Sequence, residues 1–534
     1  MKAHNKRILF LVLLAFVGVL YQPTTASAQE LNFSLKWGKE FEASRRSTLS
    51  DIVGHDATGI YAVEVRTGFS NSDYTLEHYN TDFSPTKSFD LEIETGREKA
   101  TVNNILYLKG KLYIFYATPD RKTKKNRLSL QEIDKGTLQP KGDIKKIGEI
   151  DYEGKRQRNN GDFYYKTSRD SSKILIVYSL PYEEDTPQKF GFHVLGNQLN
   201  TLWQKDIVLP HPGELFDITN FRVDNEGNAY LLGKVFKEKR KEKRRGLPNY
   251  SYEVIACRDA GSNIQQYPIS IEDRFLTDMQ IEIQDVQTIV CAGFYSEKGT
   301  VSIRGTYFLK VDAATKTIKA KNFKEFDIGF ITQNMRASEA KKAARKEKQG
   351  GEVELYEYDL DKLLVGKDGS AILIAEQYFV RAVTRYRMIN GVSSTYIVNH
   401  YYYNDIIAVK MDPSGEIAWA KKIPKTQHTV EDGGFYSSYA LAIVRGNLCF
   451  IFNDNPSNLD LEDDEKADNF KITKSIVVLA CLDPKGNLTK KPIFNAKDAE
   501  VITVPKVCEQ ISNSEVVLFG QRKKTQQFGR LSFN

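Results

Sequence analysis

The stretch Val409–Ile423, VKMDPSGEIAWAKKI, sets an apolar run, a four-residue turn and a second apolar run in line. Ala480–Phe494, ACLDPKGNLTKKPIF, repeats the arrangement. Proline presets φ and glycine takes the left-handed position, so Asp-Pro-Ser-Gly and Asp-Pro-Lys-Gly read as hairpin turns between antiparallel strands. HYN-TDFSPT-KSFDL (His78–Leu91), RDAGSN (Arg258–Asn263) and VDAATKT (Val311–Thr317) fill the same slot. All three tryptophans follow one rule: Trp37-Gly38-Lys39, Trp203-Gln204-Lys205 and Trp419-Ala420-Lys421 each stand on a strand of the type that follows such a turn. A large ring confined to one slot of a repeat implies a packing position between adjacent sheets.

A second turn class precedes a strongly apolar strand. It reads Asp56-Ala57-Thr58-Gly59, Lys109-Gly110, Asp170-Ser171-Ser172, Asn225-Glu226-Gly227-Asn228, Gln284-Asp285-Val286, Lys367-Asp368-Gly369, Arg445-Gly446-Asn447 and Asn513-Ser514. Gly, Asn, Asp and Ser dominate because tight turns need positive φ or a side chain that mimics a backbone bond. The two classes alternate and define four-stranded units starting near residues 48, 99, 160, 214, 274, 356, 433 and 499. The expected fold is therefore all-β: a β-propeller, read as eight four-stranded blades. The last unit has three strands of its own, and Leu31–Phe41 (LNFSLKWGKEF) is a fourth-strand segment with no unit. Pairing the two would complete the last blade, close the propeller and remove two open edges.

Composition agrees. The 534 residues are 41% hydrophobic, 27% charged and 11% aromatic, with 28 Tyr and 29 Phe against 5 Cys, 5 Met and 3 Trp. That excludes wholesale disorder and a polytopic membrane protein, and the aromatic bias favours strands. Lys2, Lys6 and Arg7 precede the apolar run Ile8–Tyr21 and the triplet Ala26-Ser27-Ala28. This is the pattern of a secretory signal peptide over residues 1–28, leaving a single propeller domain over 29–534. The apolar run is shorter than the roughly 20 residues a membrane span needs, and no Cys stands at the cleavage site. The expected location is periplasmic or extracellular, without lipid anchor or membrane span.

Cys257, Cys291, Cys449, Cys481 and Cys508 are odd in number and lack CxxC spacing. Each lies in or beside an apolar strand pattern, so buried free thiols are expected rather than a disulfide framework or a zinc site, with a single disulfide as the alternative. The insertions fall at 234–250, 326–355, 379–402 and 455–472, which the strand order places on one face, where rigid scaffolds present binding loops. Segment 234–245 carries eight Lys or Arg against two Glu, and 335–348 six against two. The second reads as the one helix of the chain, stopped by Gly350-Gly351. Without interleaved aromatics these runs do not suggest nucleic acid; an anionic surface is the partner they would fit. Acidic 460–468 (DLEDDEKAD) lacks calcium-loop spacing, so no metal is expected there.

The densest polar cluster lies at the junction of the sixth and seventh units. Glu376, Gln377 and Tyr378 end one strand, and Lys425 and Gln427 lead out of another. Asp432, Tyr436 and Tyr439 open the next unit, and Asn453 and Asp454 end its second strand. Such a set suits a polar ligand, a glycan or peptide, or it forms a buried network that locks loops together. The seven histidines never pair at i, i+2 or i, i+4, and no G-x-S-x-G, HExxH or Walker-type loop occurs.

AEQY (Ala375–Tyr378), NDIIAVKMDPSGEIAWAKKIPKTQ (Asn404–Gln427), GGFYSSY (Gly433–Tyr439) and FNDNPSN (Phe452–Asn458) resemble uncharacterised secreted β-propeller proteins of Bacteroidetes-type bacteria. The segment AVKMDPSGEIAW is also similar to a strand motif of eight-bladed quinoprotein and outer-membrane assembly-scaffold propellers. The adjacent Cys pair and Glu/Asn/Asp calcium set of the quinoprotein pattern have no counterpart here, so no cofactor is expected. The resulting expectation is a non-catalytic binding or scaffold propeller of the bacterial envelope, engaging a polar ligand or envelope protein. Its rival is a glycan-active enzyme using Glu376, Asp454 or Asp432.

Overall fold

The computed structural model describes residues 31–534 except 44–46, 68–71, 96–97, 121, 152–162, 181–185, 245, 270–273, 300, 390–391 and 462–464. The expected signal peptide lies outside the described residues. The chain is all-β, and its larger sheets are β-propeller blades: antiparallel meanders built on four strands that follow one another along the sequence, beside three small two-stranded sheets among the described residues. It divides into two compact units, one of residues 38–241 with 249–270 and one of 31–37 and 242–248 with 271–534.

Among the described residues the first unit holds four such sheets, opening at Ser47–Asp56, Thr101–Leu108, Phe163–Thr167 and Phe216–Val223. Within its third sheet Trp203 donates from Nε1 to the Gly227 carbonyl of the fourth at 2.8 Å, and Lys205 Nζ reaches the Gly261 carbonyl at 2.6 Å. The Trp-x-Lys slot is thus a clamp on the next sheet's turns.

The described residues of the second unit also hold four, opening at Phe275–Asp285, Tyr358–Val365, Ala440–Val444 and, in the last, Ile502–Thr503 with Glu509–Ser512. The expected completion of the last sheet is present: Phe33–Trp37 pairs antiparallel with Thr525–Phe533, Phe33 opposite Phe533 and Trp37 opposite Gly529. Central strands such as Asn447–Asp454 and Ile476–Leu482 are buried on both faces, which is why they read as unbroken apolar runs. Adjacent sheets share cores; Ile374, Ile406, Ala408 and Trp419 pack with Phe450, Phe452, Val478 and Ala480.

Three expectations need correction. First, Cys449 and Cys481, directly opposite on paired strands, form a disulfide, while Cys257, Cys291 and Cys508 remain free. Second, the 326–355 insertion carries two helices, α1 (Ile328–Thr332) and α2 (Ala337–Lys348), because Asp327 caps the first by accepting from the Phe330 amide at 2.8 Å. Third, 379–402 is no irregular loop. The strands Ala371–Ile389 and Val392–Met411 stay paired throughout, from Ala371 opposite Met411 to Ile389 opposite Val392. Their neighbours stop earlier: Tyr358–Val365 pairs no further than Gln377, Ile417–Ile423 no further than Ile406, and Gln427–Val430 covers His400–Tyr403. The rest is a two-stranded arm. No helix among the described residues is long and apolar enough to cross a membrane.

Candidate functional site

The polar residues singled out in the sequence do meet, but as a buried network. Lys425 is wholly buried and donates from Nζ to Glu376 Oε1 at 2.7 Å, to the Tyr403 carbonyl at 2.8 Å and to Gln427 Oε1 at 3.1 Å. The other Glu376 oxygen accepts from Ser438 Oγ at 2.7 Å. Gln427 passes the chain on to the Asn453 carbonyl at 2.7 Å, and Asn453 Nδ2 donates to the carbonyls of Tyr436 and Thr503 at 2.8 and 2.7 Å. A buried cation with three acceptors and a buried carboxylate with two donors are satisfied internally.

The remaining members diverge. Asp454, also buried, accepts from Lys490 Nζ at 2.8 Å and Asn458 Nδ2 at 2.7 Å. Asp432 accepts from Thr429 Oγ1 and the Gly434 amide, and Tyr439 donates to Asp361 at 2.6 Å. The Tyr378 ring lies 4.6 Å from that of Tyr403. Gln377 alone opens elsewhere: a bulge at Glu376/Tyr378 breaks the register, and Gln377 lines a pocket on the other side.

That pocket, about 930 Å³, is where three insertions of the second unit converge. Asn334, between α1 and α2, donates to Asp405 and accepts from the Ala467 amide, tying the 326–355 and 455–472 insertions to the base of the arm. His428 donates its backbone N–H to Asn469 Oδ1 at 2.8 Å, and Asn455 Nδ2 reaches the Asn469 carbonyl at 3.0 Å. The end of the acidic segment is thus held by side-chain amides, Asn334 at the Ala467 N–H and Asn458 at the Asp468 N–H.

One wall is aromatic. Phe379, Tyr402 and His428 are direct cross-strand neighbours on three successive strands, so pleat geometry puts their rings on one face. Phe379 stacks on Tyr402 at 4.5 Å and Tyr402 on His428 at 4.4 Å, with Arg381 4.9 Å from the Phe379 ring. His400, one pleat along, stacks on His428 at 5.1 Å, and its Nδ1 shares a hydrogen bond with His428 Nε2 at 2.9 Å. The histidines that show no local spacing in the sequence are thus paired in space. Burial, then the neighbouring His400, lowers the His428 pKa, keeping the ring neutral.

The floor is charged. Lys422 is buried, donates to the carbonyls of Ile331 and Gln333 at 3.2 Å each, and has its pKa pushed down to about 8 by burial, against the pull of Asp405. Asp405 has its pKa raised by burial, opposed by Lys422, the Lys425 amide and Asn334. Amides of Gln333, Gln377, Asn404 and Asn469 complete the lining. An aromatic face beside side-chain amides and a few fixed charges can stack an apolar ring face while pairing its hydroxyls or amides. Tyr402, Asn334, Asp405 and Asn469 were not singled out in the sequence; the period-2 spacing of Phe379 and Arg381, and of His400 and Tyr402, is the signal that could have found this wall.

No protein-family model and no curated protein matches the sequence. Solved structures do show likeness. The β-propeller domain of the Trilobed protease from Pyrococcus furiosus is 12% identical with TM-score 0.33, over 86% of this chain and 98% of that one. The WD40 domain of SCAP from fission yeast is 8% identical with TM-score 0.40, over 94% and 97%. Prolyl oligopeptidase B from Galerina marginata is 10% identical with TM-score 0.36, over 89% of this chain but 56% of its own. The likeness concerns the fold alone.

Proposed function

We propose that this chain is an exported, non-catalytic binding propeller that takes a polar ligand, a glycan in the first instance, in the pocket at the base of the arm. The stacked Phe379–Tyr402–His428 wall carries the reading, because a sugar ring offers both the apolar face it would stack and the hydroxyls its flanking amides would pair. Export is supported by the leader pattern and by the Cys449–Cys481 disulfide, a bond of oxidising compartments. A peptide or envelope protein docking over the same face would use the same wall.

Of the rival glycan-active enzyme's candidate groups, Glu376 and Asp454 are buried and paired with Lys425 and Lys490, and the half-buried Asp432 accepts from Thr429 and the Gly434 amide. Within the pocket the carboxyl with a raised pKa is Asp405, already bound by Asn334 and the Lys425 amide.

The test is calorimetric titration of the purified chain with chito-, cello- and xylo-oligosaccharides and peptidoglycan fragments, followed by product analysis. Saturable binding without products, weakened at least ten-fold by Tyr402→Ala, is the expected result. Turnover that Asp405→Asn abolishes would replace binding with catalysis, and silence across the panel would sink the glycan assignment.

A further inference from the structure

The arm beyond the pocket is unlike the rest of the surface. Arg381 to Met388 are eight consecutive exposed residues on a β-strand, and the facing strand is exposed at Ser393 and Thr395–Ile397. From Phe379 to Tyr402 the sequence holds three arginines and no Asp, Glu or Lys. Strand register sorts these residues by face. Val380, Ala382, Thr384, Tyr386 and Met388, opposite Tyr401, Asn399, Ile397, Thr395 and Ser393, make one face with no charge. Arg381, Arg385 and Arg387, with Val383 and Tyr396, make the other. Among the described residues no carboxylate pairs with any of the three; Arg387 lies 5.4 Å from the Tyr396 ring and Arg381 over Phe379.

We infer that the arm is a membrane-docking ribbon, whose uncharged face settles into the headgroup–acyl boundary of an anionic bilayer while the arginines of the other face reach lipid phosphates. Tyr386, Met388 and Ile397 are 75%, 72% and 62% exposed on that uncharged face, a state water does not favour for three large side chains on one ribbon. Isolated two-stranded ribbons are marginal in water, and docking supplies the missing third layer. Long cationic side chains snorkel toward phosphates, and each adds about 1 kcal/mol of attraction to an anionic leaflet, roughly a five-fold gain in partition. The unpaired backbone edges hold the ribbon at the interface, because open strands do not enter the hydrocarbon. A second copy of the arm is a poor occupant, since Phe379–Tyr402 holds no Asp or Glu to meet the arginines. Arginines serving merely to guard open edges against strand pairing would not require the exposed Tyr386, Met388 and Ile397.

The inference is independent of the pocket reading: Arg385, Tyr386, Arg387 and Met388 do not line the pocket. The test is co-sedimentation of the full chain with vesicles of phosphatidylcholine alone or mixed with phosphatidylglycerol, at low and high salt, with polyglutamate as the competing acidic probe. Expected is partition onto the mixed vesicles that fades with salt, falls about 25-fold in Arg385→Ser/Arg387→Ser and falls in Tyr386→Ser/Met388→Ser with its salt slope intact. Both variants alter exposed side chains, and an unchanged thermal melt verifies their fold. Equal partition of wild type and the arginine variant would overturn the inference. So would absence of wild-type binding to anionic vesicles. Binding to polyglutamate but not to vesicles would overturn it in favour of an acidic polypeptide partner.

Discussion

Lys425 Nζ stands 2.7 Å from Glu376 Oε1 with both side chains sealed from solvent, at 0% and 4% exposure. Glu376, inside the strand Ala371–Ile389, is pinned to the segment between Ile417–Ile423 and Gln427–Val430 by one ion pair that water cannot screen. Removing one partner leaves the other charge buried without its counter-ion, so Glu376→Gln and Lys425→Met should each destabilise the chain by about 3–5 kcal/mol. The double variant, which removes both charges, should lose less than the two singles combined. Urea melts of the four proteins measure the coupling; simple additivity would mean that the pair does not act as a unit.

The disulfide is the second lock on that unit. Cys449 and Cys481 are 32 residues apart in sequence, and closing a loop of that length in the unfolded chain is worth roughly 3–4 kcal/mol. Thiol titration of the denatured, unreduced protein should find three free cysteines, and dithiothreitol should lower the urea midpoint. Five reactive thiols before reduction would refute the pairing.

The tryptophan slot makes a steric prediction. Gly486 has φ +84°, and a Cβ there would lie 2.8 Å from the Trp419 ring, whose Nε1 donates to the Pro484 carbonyl at 3.2 Å. Gly486→Ala should cost about 2 kcal/mol or more, combining left-handed strain with displacement of the ring. Gly110→Ala, at φ +78° with open space around it, should cost only the backbone share, about 1 kcal/mol. Equal melting shifts for the two would remove the clamp from the account.

His193 supplies a pH dependence in the first unit. Burial, assisted by the charge of Lys145, lowers its pKa from 6.5 to about 4, and its Nε2 lies 2.9 Å from Thr201 Oγ1. The unfolded chain therefore takes up a proton near pH 6.5 that the folded chain refuses until about pH 4. The stability this neutral ring contributes is complete above pH 6.5 and is lost as pH falls through that window, up to about 3 kcal/mol. Urea midpoints compared between wild type and His193→Gln should converge as pH falls from 6.5 to 4; a constant difference would show that His193 titrates normally.

Much of the fold was legible because a hairpin turn writes its geometry into few residues. Asp412-Pro413-Ser414-Gly415 and Asp483-Pro484-Lys485-Gly486 turn as their composition requires, with Gly415 and Gly486 at positive φ. The orphan strand found its partner by the same logic. What stayed hidden depends on contacts between strands distant in sequence. Nothing local states that Cys449 faces Cys481, or that His400 meets His428. The arm escaped notice because neither of its faces is buried, so the alternation that marks a strand carried no apolar-in, polar-out contrast. The candidate site was half legible: the residues that gather were named, but the bulge at Glu376/Tyr378 decides which face inward, and a bulge leaves no reliable mark in sequence.

The pairing of Phe33 with Phe533 has a consequence for how the protein is made. Phe33–Trp37 must wait for the nine residues Thr525–Phe533, nearly 500 positions later, before it has a ladder to join. Loop-closure entropy grows only logarithmically, so the wait adds little to the final equilibrium, yet it orders events in time. Until Thr525–Phe533 has been made, Phe33–Trp37 stays available to any competing edge. Synthesis of Thr525–Phe533, rather than any earlier step, is then the moment after which that sheet can become whole.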